Sequence, residues 1–238
     1  MNREYHRWYS PSLHRDMELL VFGHSGARLL VFPTSRGRFF EWEDRRMMDT
    51  LGHHIASGWL QVYCVDSVDA ESWYAHRHPA DRIARHEQYH NYILNEVLPL
   101  TQRKNANPFL IAAGASFGGF HAVSFGLRHP DLVGRILSLS GLCDIRGFSD
   151  GYYDETLYFN NPVDFIANEH DPRRLDLLRR QDVILAVGRD DRLRDSNERL
   201  TAVLWQMGIG NALRLWDGWA HDWPFWHKML LLYIGGHD

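Results

Sequence analysis

The feature that most constrains the fold is an alternation of short, continuous apolar runs with longer segments of helical pattern. Apolar runs of this kind are typical of parallel strands that are buried on both faces. The predicted strands are Met17–Phe22, Arg28–Phe32, Leu60–Val65, Phe109–Gly114, Arg135–Ser140, Val183–Gly188 and Ala212–Trp216. The predicted helices are about Trp42–Ser57, Asp81–Thr101, Phe117–Arg128, Ser196–Met207 and Pro224–Tyr233. This order predicts an α/β fold with a doubly wound, mostly parallel sheet flanked by helices.

Two segments depart from this alternation. Gly23-His24-Ser25-Gly26 is a good turn sequence, so the first two strands are expected to form an antiparallel hairpin. The stretch at about 143–177 is rich in Asp, Gly, Tyr, Asn and Pro, and segments of this length often serve as lids or binding loops. We therefore predict a single domain over residues 1–238 with a lid-like excursion at about 143–177.

Composition narrows the class of protein. A chain of 238 residues with 45% hydrophobic and 24% charged residues is typical of a globular domain. A net charge of −4 argues against a nucleic-acid-binding protein, which usually carries a basic surface. The apolar runs are too short for a membrane span, and the first residues lack the apolar core of a signal peptide. We expect a cytoplasmic protein with no nucleic-acid or membrane partner.

The cysteine content agrees with that expectation. Cys64 and Cys143 are the two cysteines, and both stand in apolar sequence, within VYCVD and GLCDI. Such surroundings favour buried free thiols over a disulfide framework.

The strongest chemical motif is Gly114-Ala115-Ser116-Phe117-Gly118, which fits the pattern G-x-S-x-G. It lies between a predicted buried strand and a predicted helix, where the nucleophile elbow of a serine hydrolase must be. The turn is strained and brings strand and helix close together, so glycines at 114 and 118 avoid Cβ clashes. Ser116 is the candidate nucleophile, and the N–H of Phe117 can face a developing oxyanion.

A serine nucleophile needs a base, and the base needs a carboxylate that orients it. Asp190 and Asp191 directly follow the predicted strand Val183–Gly188; we favour Asp191 as the acid and keep Asp190 as the alternative. His221 lies between the last predicted strand and the last predicted helix. The chain order Ser, Asp, His is the order that α/β-hydrolases use.

A second oxyanion donor is expected in the loop after an early strand. The strand Arg28–Phe32 runs into Pro33-Thr34-Ser35-Arg36-Gly37, and the N–H of Ser35 is the candidate.

These motifs carry a family resemblance. The segments VFPTSRG, GASFGGFHAV, FGLRHPDLVGRILSLSG, VGRDD and GWAHDWPFW extend from about Arg28 to Trp226. The chain resembles the putative-esterase branch of the α/β-hydrolases, which includes esterase D-like S-formylglutathione hydrolases, feruloyl esterases and mycolyltransferases. The resemblance implies Ser116 as nucleophile, Asp191 as acid and His221 as base. It also implies hydrolysis of an ester.

A rival motif points to zinc. His86-Glu87-Gln88-Tyr89-His90 is a literal H-E-x-x-H on a predicted helix, and two histidines at i and i+4 can share one metal. A third ligand is missing at the expected spacings, because Ile93 and Glu96 occupy the positions of the metzincin Gly and His, and residues 97–130 hold no acid. We therefore predict no metal and no cofactor, and interpret His86 and His90 as buried helix residues.

Aromatic residues cluster near the candidate base and in the excursion. Trp219, Trp223, Tyr152 and Tyr153 are predicted to line a substrate pocket. Trp226 belongs to the same aromatic cluster, and the alternative for Trp223 and Trp226, which have helical spacing, is ordinary core packing.

The predicted function is hydrolysis of small carboxylic or thio esters through an acyl-enzyme on Ser116. Three alternatives remain open at this point: an acyltransferase that uses the same triad, a non-catalytic binding protein with a hydrolase fold, and a zinc metallopeptidase that uses His86, Glu87 and His90. The expected partner is a small-molecule ester. A homo-oligomer is compatible with the sequence.

Overall fold

The computed structural model describes residues 2–236, which fall into two compact units, Met1–Leu110 and Ile111–Asp238. The strands are β1 Arg3–Ser10, β2 Arg15–Phe22, β3 Ala27–Phe32, β4 Leu60–Val65, β5 Leu110–Ala115, β6 Arg135–Leu139, β7 Asp182–Gly188 and β8 Ala212–Trp216. The order of neighbouring strands is β1-β2-β4-β3 in the first unit and β5-β6-β7-β8 in the second. The predicted α/β class with a mostly parallel sheet is confirmed. That the whole chain is a single domain stays a prediction.

The helices of the first unit are α1 Glu41–Asp44, α2 Met47–Thr50, α3 Gly52–Ala56, α4 Pro79–Tyr92 and α5 Leu98–Lys104. Those of the second unit are α6 Phe117–Arg128, α7 Glu155–Asn160, α8 Pro162–Phe165, α9 Pro172–Leu178, α10 Arg194–Gln206 and α11 Trp223–Tyr233. A π-helical turn and two 3₁₀ turns complete the set, at Ile93–Val97, Arg146–Phe148 and Ile166–Asn168. Within residues 2–236, no helix combines the length and the apolar character needed to cross a membrane.

In the first unit, the predicted hairpin between β2 and β3 is wrong. β2 pairs antiparallel with β1 and with β4, whereas β3 pairs parallel with β4, so β4 lies between β2 and β3. The turn packs instead on the segment leading into β4: the N–H of Ala27 donates to the carbonyl of Trp59 at 2.8 Å. A Cβ on Gly26 would lie 2.1 Å from the carbonyl carbon of Trp59, so this close approach requires glycine.

The antiparallel partner of β2 is β1, a strand that the apolar-run pattern did not predict. Its sequence REYHRWYS alternates exposed and partly buried positions, as expected of an edge strand with one solvated face. On the inner side, the Trp8 ring stacks on Tyr92 with ring centroids 5.7 Å apart, and its indole N–H donates to Glu96 at 2.8 Å. Amphipathic alternation, rather than a continuous apolar run, is the signal that identifies this strand.

Two predicted helices are interrupted. The segment predicted as one helix at Trp42–Ser57 forms α1, α2 and α3, with Arg46 in a left-handed conformation (φ 61°) between the first two. The segment predicted at Asp81–Thr101 forms α4, the π-helical turn and α5. In the first segment the left-handed Arg46 breaks the helix, whereas in the second the backbone stays helical and the π-helical turn joins α4 to α5.

In the second unit, the excursion at about 143–177 is folded rather than structureless. It contains α7, α8, α9 and the two 3₁₀ turns, and a polar network holds its first half. The buried Asn161 side chain donates to Asp144 at 3.2 Å and to Asp164 at 2.7 Å, and its oxygen accepts the N–H of Ile145. Burial alone would raise the pKa of Asp144, but the hydrogen bonds from Arg146 and Asn161 and the charge of Arg146 together hold that pKa below its usual range. The role of the excursion at about 143–177 as a lid stays a prediction.

The core of the second unit positions the site. Every residue of β5 is buried, and β5, β6, β7 and β8 pair in parallel, so their carboxyl ends meet at one edge. In open α/β sheets, ligands bind at this edge. The segments that follow β5, β7 and β8 contain Ser116, Asp191 and His221.

Both cysteines are free and buried, as predicted. Burial raises the pKa of each thiol well above its ordinary value, so very little reactive thiolate exists at mildly alkaline pH. We expect Ellman's reagent to find no fast-reacting thiol in the native protein and two thiols per chain after unfolding in guanidinium chloride. Rapid labelling of either cysteine in the native state would contradict the burial described here.

Candidate active site

Ser116 sits on a sharp turn between β5 and α6. Its φ of 54° and ψ of −117° are unusual for a residue with a side chain, and such conformations persist only where the surroundings impose them. Its N–H donates to the carbonyl of Leu139 at 2.9 Å, which anchors the turn on the end of β6. A Cβ at Gly114 would lie 2.2 Å from the backbone of Gly118, so the motif glycine allows strand and helix to touch. The turn presents the Ser116 side chain at the start of α6.

The three predicted side chains lie in one hydrogen-bonded line. His221 Nε2 is 3.0 Å from Ser116 Oγ, and His221 Nδ1 is 2.7 Å from Asp191 Oδ2. Solvent exposure decreases along this line: Ser116 is partly exposed, the His221 side chain is 12% exposed and the Asp191 carboxyl is fully buried. The line therefore runs from the surface inward, with the hydroxyl outermost.

The structure separates the two neighbouring acids. The carboxyl of Asp191 accepts hydrogen bonds from both His221 and the N–H of Leu193, the latter at 2.9 Å. Asp190 is exposed, and its N–H donates to the carbonyl of Gly218 at 3.0 Å. Asp191, the favoured residue, thus contacts the histidine, and Asp190 helps to join two loops.

The loops after β7 and β8 are bonded to each other, and this holds Asp191 and His221 in their relative positions. Besides the Asp190 bond, the N–H of Arg189 donates to the carbonyl of Trp216 at 2.8 Å. A Cβ on Gly188 would lie 2.2 Å from the carbonyl oxygen of Trp219, so glycine at the end of β7 permits the contact. The loop after β8 therefore packs directly on the end of β7.

This arrangement fixes the protonation pattern of the imidazole. An ionised carboxylate is acceptor-only, so the hydrogen on the Asp191 side of the ring is carried by His221 Nδ1. Nε2 then bears the lone pair and accepts the Ser116 hydroxyl. A histidine held this way can take a proton from the hydroxyl and return it to another atom, which is the chemistry of nucleophilic catalysis.

Two tryptophans enclose the histidine ring. Trp219 stacks on it with ring centroids 5.4 Å apart and an interplanar angle of 26°, and 54% of Trp219 is exposed. Trp226 meets the ring nearly edge-on at 5.4 Å and is buried. Trp223 contacts Trp226, with ring centroids 5.0 Å apart. Trp226, which the sequence indicated only as part of the aromatic cluster, is the buried neighbour of His221.

A comparison with protein-family models supplies the family. Residues 43–231 match the family described as "putative esterase". This match extends over more than half of the chain. The chain belongs to the putative esterase family. The resemblance inferred from the sequence motifs is confirmed, and the protein is a carboxylic ester hydrolase with the α/β-hydrolase fold.

Solved structures agree on the fold of this esterase. A ferulic acid esterase is 20% identical, with a TM-score of 0.75 over 97% of this chain and 95% of that one. An S-formylglutathione hydrolase from Staphylococcus aureus is 18% identical, with a TM-score of 0.68 over 98% and 97%. A fluorophosphonate-binding serine hydrolase from the same organism is 16% identical, with a TM-score of 0.64 over 98% and 97%. A search of curated protein sequences found no match.

The two predicted oxyanion donors of the esterase lie in different units. Phe117 is the first residue of α6, a position at which the helix supplies no acceptor for the N–H. Ser35 follows β3 in the first unit, where its hydroxyl accepts the Tyr74 hydroxyl at 2.8 Å. No acceptor for the Ser35 N–H occurs among residues 2–236, whereas the N–H of Arg36 donates to Asp69. Both donor assignments stay predictions.

The predicted pocket tyrosines belong to the folded excursion. The Tyr152 hydroxyl donates to Asp154 at 2.8 Å, and the Tyr153 hydroxyl donates to Asp164 at 3.0 Å. Partial desolvation of its hydroxyl, together with the Asp164 hydrogen bond, raises the pKa of Tyr153 to about 12. Their place in a substrate pocket, like that of Trp219 and Trp223, stays a prediction.

The histidines of the zinc motif are buried in α4. His86 and His90 are 3% and 6% exposed, and the His86 ring lies 5.1 Å from Trp73. Over residues 2–236, no three His, Cys, Asp or Glu side chains are grouped as a metal site requires. The helix positions them for packing within the first unit.

Proposed function

We propose that this esterase hydrolyses small carboxylic or thio esters through an acyl-enzyme on Ser116. The observation that carries the proposal is the position of His221, 3.0 Å from Ser116 Oγ on one side and 2.7 Å from Asp191 on the other. A serine hydroxyl becomes a competent nucleophile when a base oriented by a third group lies within hydrogen-bond reach.

In the acylation step, Ser116 Oγ forms a bond to the ester carbonyl carbon while its proton passes to His221 Nε2. The π electrons of the carbonyl move to its oxygen, which becomes an oxyanion. When the carbonyl re-forms, the bond to the leaving oxygen or sulfur breaks and His221 delivers its proton to that atom. Asp191 holds the imidazole and stabilises its protonated form throughout.

In the deacylation step, water takes the place of the leaving group. His221 removes a proton from the water while its oxygen bonds to the acyl carbon, and collapse of the intermediate returns the proton to Ser116. The oxyanion of both intermediates is assigned to the N–H groups of Phe117 and Ser35. Backbone donors that already point at the developing charge need no reorganisation, which makes them effective in the transition state.

The substrate class follows from the relatives and from one aromatic surface. The structural relatives are named for a ferulic acid ester and for S-formylglutathione, an aromatic ester and a thioester. In this chain the exposed ring of Trp219 stacks on His221, and a planar or apolar substituent could lie against it. We propose Trp219, Trp223, Tyr152 and Tyr153 as pocket residues for such small esters.

The test is covalent labelling with a fluorophosphonate probe. We expect one phosphonyl group per chain, mapped to Ser116 by peptide mass spectrometry, and no label on Ser116→Ala. Ser57→Ala, which removes an exposed hydroxyl after α3, is the matched control and should label like wild type. Short p-nitrophenyl esters and an aryl thioester should be turned over in the presence of chelator. Labelling that persists in Ser116→Ala would overturn the proposal.

A further inference from the structure

A buried hydrogen-bond chain connects three segments beside the candidate triad. The indole Nε1 of Trp226 lies 3.1 Å from Ser140 Oγ, and Ser140 Oγ lies 2.8 Å from the carbonyl oxygen of Ala220. Ser140 and Ala220 are both 0% exposed, and Trp226 is 5% exposed. Ser140 directly follows β6, Ala220 directly precedes His221, and Trp226 is in α11. The chain therefore ties the histidine loop to the end of a central strand and to the last helix.

The chemistry of the three groups fixes the direction of every hydrogen bond. An indole N–H can only donate and a carbonyl oxygen can only accept. The Ser140 hydroxyl must therefore accept from Trp226 and give its single proton to Ala220. No other arrangement satisfies all three buried groups, and hydrogen bonds in such a chain polarise and strengthen one another.

The backbone at both ends of the Ser140–Ala220 bond is strained. Ser140 has a φ of 49° and Ala220 a φ of 43°, conformations that side-chain-bearing residues rarely adopt. The N–H of Ser140 is also bonded to the carbonyl of Ala186 at 2.6 Å, so Ser140 is fixed on the sheet. A strained residue directly before His221 stays in place only when its surroundings hold it, and the Ser140 hydroxyl bonds its carbonyl.

We propose that Ser140 and Trp226 are positioning residues for His221. Ser140 fixes the Ala220 carbonyl, and with it the backbone from which the imidazole projects. Trp226, oriented by its bond to Ser140, presents its ring edge-on to the imidazole at 5.4 Å and limits rotation away from Ser116. This inference rests on the proposed function, because it assigns a role to His221 as the base. Neither residue is a catalytic residue, since both act through His221.

The first test compares Ser140→Ala with a matched control two residues earlier, in β6. Ser138 is also 0% exposed, and its hydroxyl has no hydrogen-bond partner among residues 2–236, so Ser138→Ala removes a buried hydroxyl without breaking a bond. We expect Ser140→Ala to lower kcat roughly 10- to 100-fold, as displacement of a reacting group does, with KM within about threefold of wild type. Ser138→Ala should keep the wild-type kcat. Activity is expressed per active site titrated with a fluorophosphonate, so a misfolded fraction does not enter the value.

The second test asks whether Trp226 acts through Ser140. Trp226→Phe keeps a buried aromatic ring but removes the indole donor, and we expect kcat to fall about tenfold, the effect of one neutral hydrogen bond. In a double-mutant cycle, Ser140→Ala combined with Trp226→Phe should be no slower than Ser140→Ala alone, because both changes break one chain. If Ser140→Ala folds poorly, the comparison of Trp226→Phe with wild type still tests the proposal.

The outcomes separate this inference from the proposed function. If Ser116→Ala is inactive while Ser140→Ala matches Ser138→Ala, the positioning role is wrong and the acyl-enzyme proposal stands. Fully additive effects of Ser140→Ala and Trp226→Phe would overturn the connected chain, as would a raised KM at unchanged kcat. If Ser116→Ala keeps its turnover, the proposed function fails first.

Discussion

Replacing either Ser116 or His221 with alanine is expected to remove almost all esterase activity, lowering kcat roughly 10³- to 10⁶-fold. The reason lies in the geometry: His221 Nε2 is the group 3.0 Å from Ser116 Oγ that can take its proton. Without the hydroxyl no acyl-enzyme forms, and without the imidazole the hydroxyl is a weak nucleophile. Because the two groups act as a unit, the double variant should be about as inactive as either single variant.

The measurement is the initial rate with a short p-nitrophenyl ester, together with the rate of fluorophosphonate labelling. His170→Gln is the control for loss of a histidine, because His170 is exposed and distant in sequence from the three residues. It should keep wild-type activity and labelling. A His221→Ala variant within tenfold of wild type would show that another group serves as the base.

Asp191→Asn is expected to lower kcat by roughly 10²- to 10⁴-fold. Asp191 Oδ1 accepts the N–H of Leu193 at 2.9 Å and Oδ2 faces His221 Nδ1 at 2.7 Å. In an asparagine the single carbonyl oxygen keeps the Leu193 bond, so the amide NH₂ group faces the ring. It donates to Nδ1 and stabilises the tautomer with hydrogen on Nε2, which cannot accept the proton of Ser116.

Asp190→Asn is the matched control for that change. The Asp190 side chain is exposed, and the N–H that bonds Gly218 is unaffected by the substitution, so we expect kcat to stay within about twofold of wild type. Rates are measured at several pH values near neutrality, with thermal unfolding followed in parallel. A large loss in Asp190→Asn with little loss in Asp191→Asn would reassign the acid.

The candidate site could be predicted from the sequence because each of its residues follows a strand. Ser116, Asp191 and His221 come after three apolar runs, and parallel strands bring their carboxyl ends to one edge. Between the two adjacent aspartates of the VGRDD motif, the family resemblance favours Asp191 over Asp190. The structure decides between them through loop packing. Gly188 lies against the carbonyl of Trp219 and the N–H of Asp190 donates to the carbonyl of Gly218, so the loop after β7 is fixed on the segment before His221. In this arrangement Asp191 contacts His221.

The fold was predictable where burial is continuous and less so where it is one-sided. All seven predicted strands correspond to β2 through β8, with ends that differ by two residues or fewer. The errors concern β1, whose half-buried alternation gives no continuous apolar run, and the hairpin, which the turn sequence favoured. Strand order depends on contacts such as Leu30 beside Tyr63, and these lie far apart in the chain.

The chain through Ser140 lies beyond sequence-based inference for a related reason. Its members are separated by 80 and 86 residues, and serine and tryptophan there carry no local pattern. Ser140 was predicted as the last residue of a strand. Its left-handed backbone and its three hydrogen bonds follow from how the unit packs.

The strained backbone around the triad lowers the stability of the fold while it holds the reacting groups in place. Of the seven non-glycine residues with positive φ within residues 2–236, Ser116, Ser140 and Ala220 lie in this one neighbourhood. At roughly 1–2 kcal/mol each, the three residues lower the free energy of unfolding by about 3–6 kcal/mol. That is a large share of the free energy of unfolding of a typical domain. Changes that relax them would raise the melting temperature while loosening the reacting groups. Heat resistance in this esterase is therefore best sought away from the ends of β5, β6 and β8.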